Sequence, residues 1–228
     1  MNIAKEIGYI IMVVLVLPFC AYAQPNVKIA YNLGYMEANS NNQTLSDFNE
    51  AAANSLFMLD NPLKNLHVVS GIEIGVRFKN DLGFAYELSY ENLTSDKDAV
   101  GETLDGEVFS KELFYGFKAL HLGLEWTDKR YGIGATIGRR TNNIKENSIT
   151  GEKRSILKTT NYVSKVFFIF DIGGTDNLSF QLRPYATIPY SKVSLDPLRT
   201  NLELGNSSGI NEGFMTYGIT IAFYNGPQ

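Results

Sequence analysis

Few residues in this 228-residue chain could act as a catalyst, and their spacing settles most of that question. Gly205-Asn206-Ser207-Ser208-Gly209 has the Gly-x-Ser-x-Gly pattern of a nucleophile elbow, which needs a strand-to-helix turn and a histidine to take the serine proton. The segment is polar throughout, and the two histidines, His67 and His121, fall in stretches that alternate like strands. The expectation is a flexible loop, with no catalytic residue. Asp96, Asp98 and Glu107 come near a calcium-loop spacing, but Val100 stands where an oxygen ligand belongs and the flanks are not helical. An acidic loop is expected there. His121, read as a neighbour of Glu125, has no second ligand beside it, so no metal site and no cofactor are assigned.

What remains is a set of ten ionic residues on the polar side of alternating segments. Lys28, Arg77, Arg140, Lys165 and Arg183 are matched in number by Glu73, Glu87, Glu91, Glu125 and Asp171. Unpaired charges in a confined interior cost several kcal/mol each, so equal numbers permit a self-neutralising network.

Eight segments must position them. Period two runs through 27–35, where Val27, Ile29, Tyr31, Leu33 and Tyr35 oppose Lys28, Ala30, Asn32 and Gly34. It recurs near 67–79, 83–95, 107–127, 131–141, 158–173, 178–195 and 212–224. Three tight turns, at 80–82, 128–130 and 174–177, alternate with long polar connections near 37–66, 96–106, 142–157 and 196–211. Even strand number, hairpin connectivity and turns that are short on one side suit a transmembrane β-barrel.

Orientation is the remaining question, because a soluble barrel turned the other way would alternate identically. Glycines crowd the polar face, among them Gly34, Gly134, Gly138 and Gly218. On a wet surface they would only weaken the sheet, whereas inside a narrow barrel they make room for long side chains. The alternative left open is a soluble, lipocalin-like barrel in the periplasm or secreted, with a lipophilic ligand inside.

Three details complicate the pattern. Phe109 to Phe117 has the opposite parity of hydrophobicity to 119–127, which predicts a bulge near Gly116. Pro184 and Pro189 predict a bulge or an early end to the seventh strand. In the first connection, Thr44-x-x-Asp47 reads as a capping box. Leu45, Phe48, Ala52, Leu56 and Leu59 then recur at helical spacing until Asn61-Pro62. A short amphipathic helix is expected there, either packed on the barrel mouth or loop neighbours, or acting as a plug or as a docking surface for an extracellular partner through 37–66.

Residues 1–23 read as a secretory signal: Lys5, an apolar run from Ile7 to Leu17, and Ala21-Tyr22-Ala23 at the cleavage point. Lipidation at Cys20 is the competing reading, disfavoured by Phe19 before it. Residues 24–228 then form one cysteine-free domain. The chain is 44% apolar with net charge −4, which excludes disorder and argues against nucleic acid as partner.

The last strand ends Thr216-Tyr217-Gly218-Ile219-Thr220-Ile221-Ala222-Phe223. Thr216, Gly218, Ile221 and Phe223 resemble the C-terminal β-signal of outer-membrane barrels. With the signal segment and eight strands, the chain resembles the small eight-stranded outer-membrane β-barrel family of OmpA/OmpX-type architecture, in a layout similar to the PorT-like group. The resemblance implies an all-β, up-and-down transmembrane barrel in the Gram-negative outer membrane, bathed in outer-membrane lipid and folded by the barrel-assembly machinery. It is expected to be monomeric, non-enzymatic and not a large-conductance pore, and to act structurally or through its extracellular loops. Tyr224 to Gln228 would form a tail beyond the signal.

Overall fold

The computed structural model describes residues 24–54, 57–80, 82–103, 105–147, 153–175, 178–205 and 209–225. The signal segment, with Cys20, lies outside them, as do Leu56 and the centre of the Gly-x-Ser-x-Gly sequence. In chain order the elements are β1 (Gln24–Glu37), α1 (Asn39–Asn54), β2 (Phe57–Asn61), β3 (Val68–Lys79), β4 (Phe84–Thr103), β5 (Val108–Asp128) and β6 (Tyr131–Asn147). β7 (Lys153–Thr175), β8 (Leu178–Pro189), β9 (Val193–Ser194), α2 (Asp196–Asn201), β10 (Asn211–Glu212) and β11 (Met215–Asn225) follow.

Eight of these strands close a ring. β1 pairs antiparallel with both β3 and β11, and β4 through β8 follow in sequence order round to β11. β2 pairs with the far end of β4, while β9 and β10 make a separate small pair.

The wall has two storeys with opposite polarity. In the lower one, towards the short turns, Lys28, Glu73, Glu87 and Arg183 are buried while Ile29, Ile74, Leu124 and Ile221 are exposed. In the upper one, Met36, Leu93, Leu113, Tyr115, Ile144 and Leu157 form a buried apolar core, and polar residues face out. The strands cross this boundary without changing register. In β5 the odd-numbered residues from Leu113 to Glu125 all point inward, and Thr94↔Gly116 and Gly116↔Asn143 are ordinary pairs. The bulge expected at Gly116 is therefore absent. The apparent parity change arises because the interior switches from apolar to polar between Phe117 and His121.

The same switch corrects the long loops. Much of 96–106 and 142–157 is strand, extending the β4–β5 and β6–β7 hairpins above the lower storey. The acidic stretch at Asp96 and Asp98 is thus strand, and Asp98 accepts from Asn61 Nδ2 at 2.8 Å. The prolines act as their chemistry dictates. The β7–β8 ladder skips Phe168 and Ile169 opposite Arg183 and Pro184, and β8 ends at Pro189. The register shift in this ladder falls elsewhere, between Asp171 and Gly173.

α1 starts earlier than its capping box suggests. Thr44 lies inside the helix, donating to Ser40 O at 2.9 Å. The N-terminus is held by Glu212, whose carboxylate accepts from the N–H groups of Ser40 and Asn41 at 2.8 and 3.1 Å. Leu59 belongs to β2, outside the helix.

Inside the barrel, aromatic rings rest on glycine. Phe167 points inward against Gly134, where a Cβ would collide with the ring; at Gly34 a Cβ would lie 2.8 Å from Tyr185 Oη. Gly134→Leu should therefore lower the unfolding free energy by about 1–3 kcal/mol through overpacking. Urea unfolding of the purified protein reads this out, and adding Phe167→Ala should recover part of the loss.

Candidate functional site

The lower interior holds one connected run of alternating charge. Arg77 NH1 lies 3.6 Å from Glu125, whose other oxygen takes Arg183 NH2 at 2.6 Å. Arg183 NH1 reaches Glu87 at 2.9 Å, and Glu87 accepts from Lys28 at 2.6 Å. Lys28 also donates to Glu73 at 2.6 Å; Glu73 takes Lys165 at 3.0 Å, and Lys165 reaches Glu91 at 2.8 Å. His121 Nε2 stands 3.5 Å from Glu91. Four cations and four carboxylates thus link six of the eight barrel strands, β1, β3, β4, β5, β7 and β8, each nearly inaccessible to water.

Neutral groups complete the coordination. Glu73 accepts four donors, Lys28, Lys165, Asn32 and Ser89. Asn32 bridges to Glu91 at 3.0 Å and accepts from Thr220. Gln181 Oε1 receives two N–H groups of Arg183. A void of only about 10 Å³ remains among Lys28, Glu87, Lys165 and Arg183, room for one water at most.

Two of the ten ionic residues stand apart. Asp171 is half-buried near the short turns and accepts from Gly173 N at 3.3 Å. Arg140 makes no ion pair among the described residues; its guanidinium donates to the carbonyls of Gly213 and Phe214, each at 2.9 Å. Phe214, at φ 54°, thereby packs its buried ring 5.3 Å from Phe117 at the base of the upper core. His121 faces Glu91 and Thr136 rather than Glu125, because it pairs across from Ser89 on β4.

Tyr224 is the residue sequence reasoning missed. It is fully buried, where a tail was expected. Arg77 lies 3.8 Å from its ring centroid and Arg183 5.1 Å, and its hydroxyl donates to Glu87 at 3.2 Å. One further step of the period that places Thr220 and Ala222 inward would have found it. Of the four β-signal positions, Thr216 points inward, Gly218 lies opposite Gly34 in the β1–β11 seam, and Ile221 and Phe223 point out.

The upper storey closes the mouth. Leu45, Phe48 and Ala52 of α1 sit in the apolar core or at its edge. Two asparagines clamp the returning chain: Asn49 exchanges two 2.9 Å bonds with the backbone of Leu63. Asn42 exchanges bonds of 3.4 and 2.7 Å with that of Leu66. Arg199 of α2 donates to Asp47 at 2.7 Å. That bond, with one from Gln43, holds the Asp47 carboxyl below the usual carboxylate range. Among the described residues no group of three or more His, Cys, Asp or Glu side chains could hold a metal ion.

No family model matches the chain and no curated protein matches it. Solved structures do. Ail, the attachment invasion locus protein of Yersinia pestis, solved with the heparin analogue sucrose octasulfate, is similar at a TM-score of 0.50 and 10% identity, over 89% of this chain and 99% of that one. Neisserial surface protein A aligns at a TM-score of 0.45 and 6% identity, over 89% of this chain and 97% of that one. At such identities the likeness is one of fold: the chain is an eight-stranded antiparallel β-barrel.

Two outcomes test the site. Glu73→Gln leaves two buried ammonium groups short of a carboxylate and should cost about 3 kcal/mol in urea unfolding; combining it with Lys165→Met should restore part. The Asp47–Arg199 contact follows the depressed-carboxylate sign: its contribution is present at neutral pH and is lost as pH falls through the lowered Asp47 pKa. Hydrogen exchange of α1 amides should quicken over that acidic range, and Asp47→Asn should remove this pH dependence.

Proposed function

We propose that this chain is an integral outer-membrane protein whose barrel interior is closed and whose contacts are made by its surface end, in membrane integrity, adhesion or assembly. The observation that carries this is the lower wall. Val27 to Tyr35 alternates outward apolar residues over nine positions, which at ~3.3 Å per residue and a tilt near 40° covers roughly 20 Å of hydrocarbon. Exposed aromatics edge the band at both ends: Tyr35, Tyr90, Tyr162 and Tyr217 above, Phe84, Trp126, Tyr131 and Phe170 below. Aromatic girdles at this spacing mark the two interfaces of a bilayer. No helix among the described residues is long and apolar enough to cross one; in this reading the strands make the crossing.

The packed ion pairs support a closed interior, since neither a solute path nor an apolar chamber fits beside them. This weighs against the soluble lipocalin-like reading. Ail is an attachment protein, so the fold is compatible with adhesion. Under this reading residues 1–23 direct export, Thr216, Gly218, Ile221 and Phe223 engage the assembly machinery, and the protein works as a monomer without enzymatic activity. α1 has its apolar face committed to the cap, so an extracellular partner of 37–66 would meet its polar face.

Detergent-extracted protein should show heat-modifiable gel mobility and insert into planar bilayers without large stable conductance. Large stable currents would overturn the closed interior. Release by carbonate washing, with no mobility shift, would overturn the membrane reading and favour the soluble barrel.

A further inference from the structure

We propose that a groove on the outer wall, directly above the apolar band, binds the phosphorylated headgroup of a lipid in the surrounding outer leaflet; this rests on the membrane reading above. The groove has a volume of about 790 Å³ and crosses the outward faces of β4, β5, β6 and β7. Its floor is Gly116. A Cβ there would meet only Asn143 O, at 3.8 Å, so neither packing nor a bulge requires glycine; its absent side chain leaves the wall concave.

The rim is basic. Lys118, Arg139, Lys145, Lys153 and Lys158 line it, with Asp96 the only acid among its lining residues. None of the five makes an ion pair among the described residues, in contrast to the ladder inside. Lys153 is held over the Phe114 ring, 3.5 Å from its centroid. In a chain of net charge −4, five cations around one hollow with no ion pair among the described residues are a local field that favours an anion.

Position selects the source of that anion. The lower edge is the row Tyr90↔Leu120↔Arg139, which continues along the wall to Tyr162 on β7. Tyr90, Leu120 and Tyr162 in that row are exposed apolar groups of the upper girdle. The groove therefore opens sideways, apolar below and cationic above. A lipid with acyl chains against the wall and phosphate at Lys118 and Arg139 matches both halves. A soluble polyanion would use only the upper half.

The test refolds the protein into phosphatidylcholine vesicles with and without phosphatidic acid and counts co-purifying lipid by native mass spectrometry. Wild type should retain phosphatidic acid over phosphatidylcholine. Lys118→Gln with Arg139→Gln should lower that retention about tenfold. Gly116→Trp, which fills the hollow and keeps every charge, should lower it likewise, and all three proteins should show the same heat-modifiable mobility. Equal retention by wild type and variants would overturn the proposal. Binding of myo-inositol hexakisphosphate without selection of phosphatidic acid would also overturn it, assigning the groove to soluble polyanions. Failure of wild type to fold into any vesicle would instead strike the membrane reading itself.

Discussion

The structure depends on one electrostatic constraint: a narrow barrel that turns its apolar side chains outward has only polar groups left to fill its centre. Eight strands leave space just wide enough for side chains, and charges placed there lose most of their hydration. Desolvation of each ion is offset only if its partners surround it closely. The run from Glu125 through Arg183, Glu87, Lys28, Glu73 and Lys165 to Glu91 meets that condition by strict alternation of sign, while Arg77 at its end has Glu125 at 3.6 Å and the Tyr224 ring beneath it. Because successive members come from different strands, the same contacts that neutralise the interior also tie the wall together.

In the upper storey the constraint reverses. There polar residues face outward, and Leu113, Tyr115, Ile144 and Leu157 turn the upper interior into an ordinary hydrophobic core. The strands need no irregularity to accomplish this, since inward positions stay inward and only their chemistry changes. Arg140 and Phe214 mark the floor between the storeys, one finishing the polar level and the other beginning the apolar one.

Much of this was legible in the sequence because period two survives in every strand. The eight segments, the inward glycines and the ten ionic residues all follow from it. Chain ends and the polarity reversal were less legible. Tyr224 was read as tail because the β-signal stops at Phe223, although the alternation continues one step further. Upper β4 and β6 were read as loops because polar residues on a strand's outer face resemble loop composition when the inner face is not recognised as core. The partner of His121 and the isolation of Arg140 from carboxylates depend on cross-strand register, which no local pattern encodes. The expectation of a bulge near Gly116 has a different origin, the switch of interior chemistry between Phe117 and His121 with the register unbroken.

The carboxylate of Glu212 joins the first connection of the chain to the last, reaching back 172 residues to Ser40. Such closure is slow to find and carries a large entropic cost until the intervening strands have docked. α1 therefore gains its N-terminal anchor only when Glu212, near the far end of the chain, has come back to it. The lid over the mouth is thus stitched from segments at opposite ends of the sequence, and its closure belongs to the long-range part of folding.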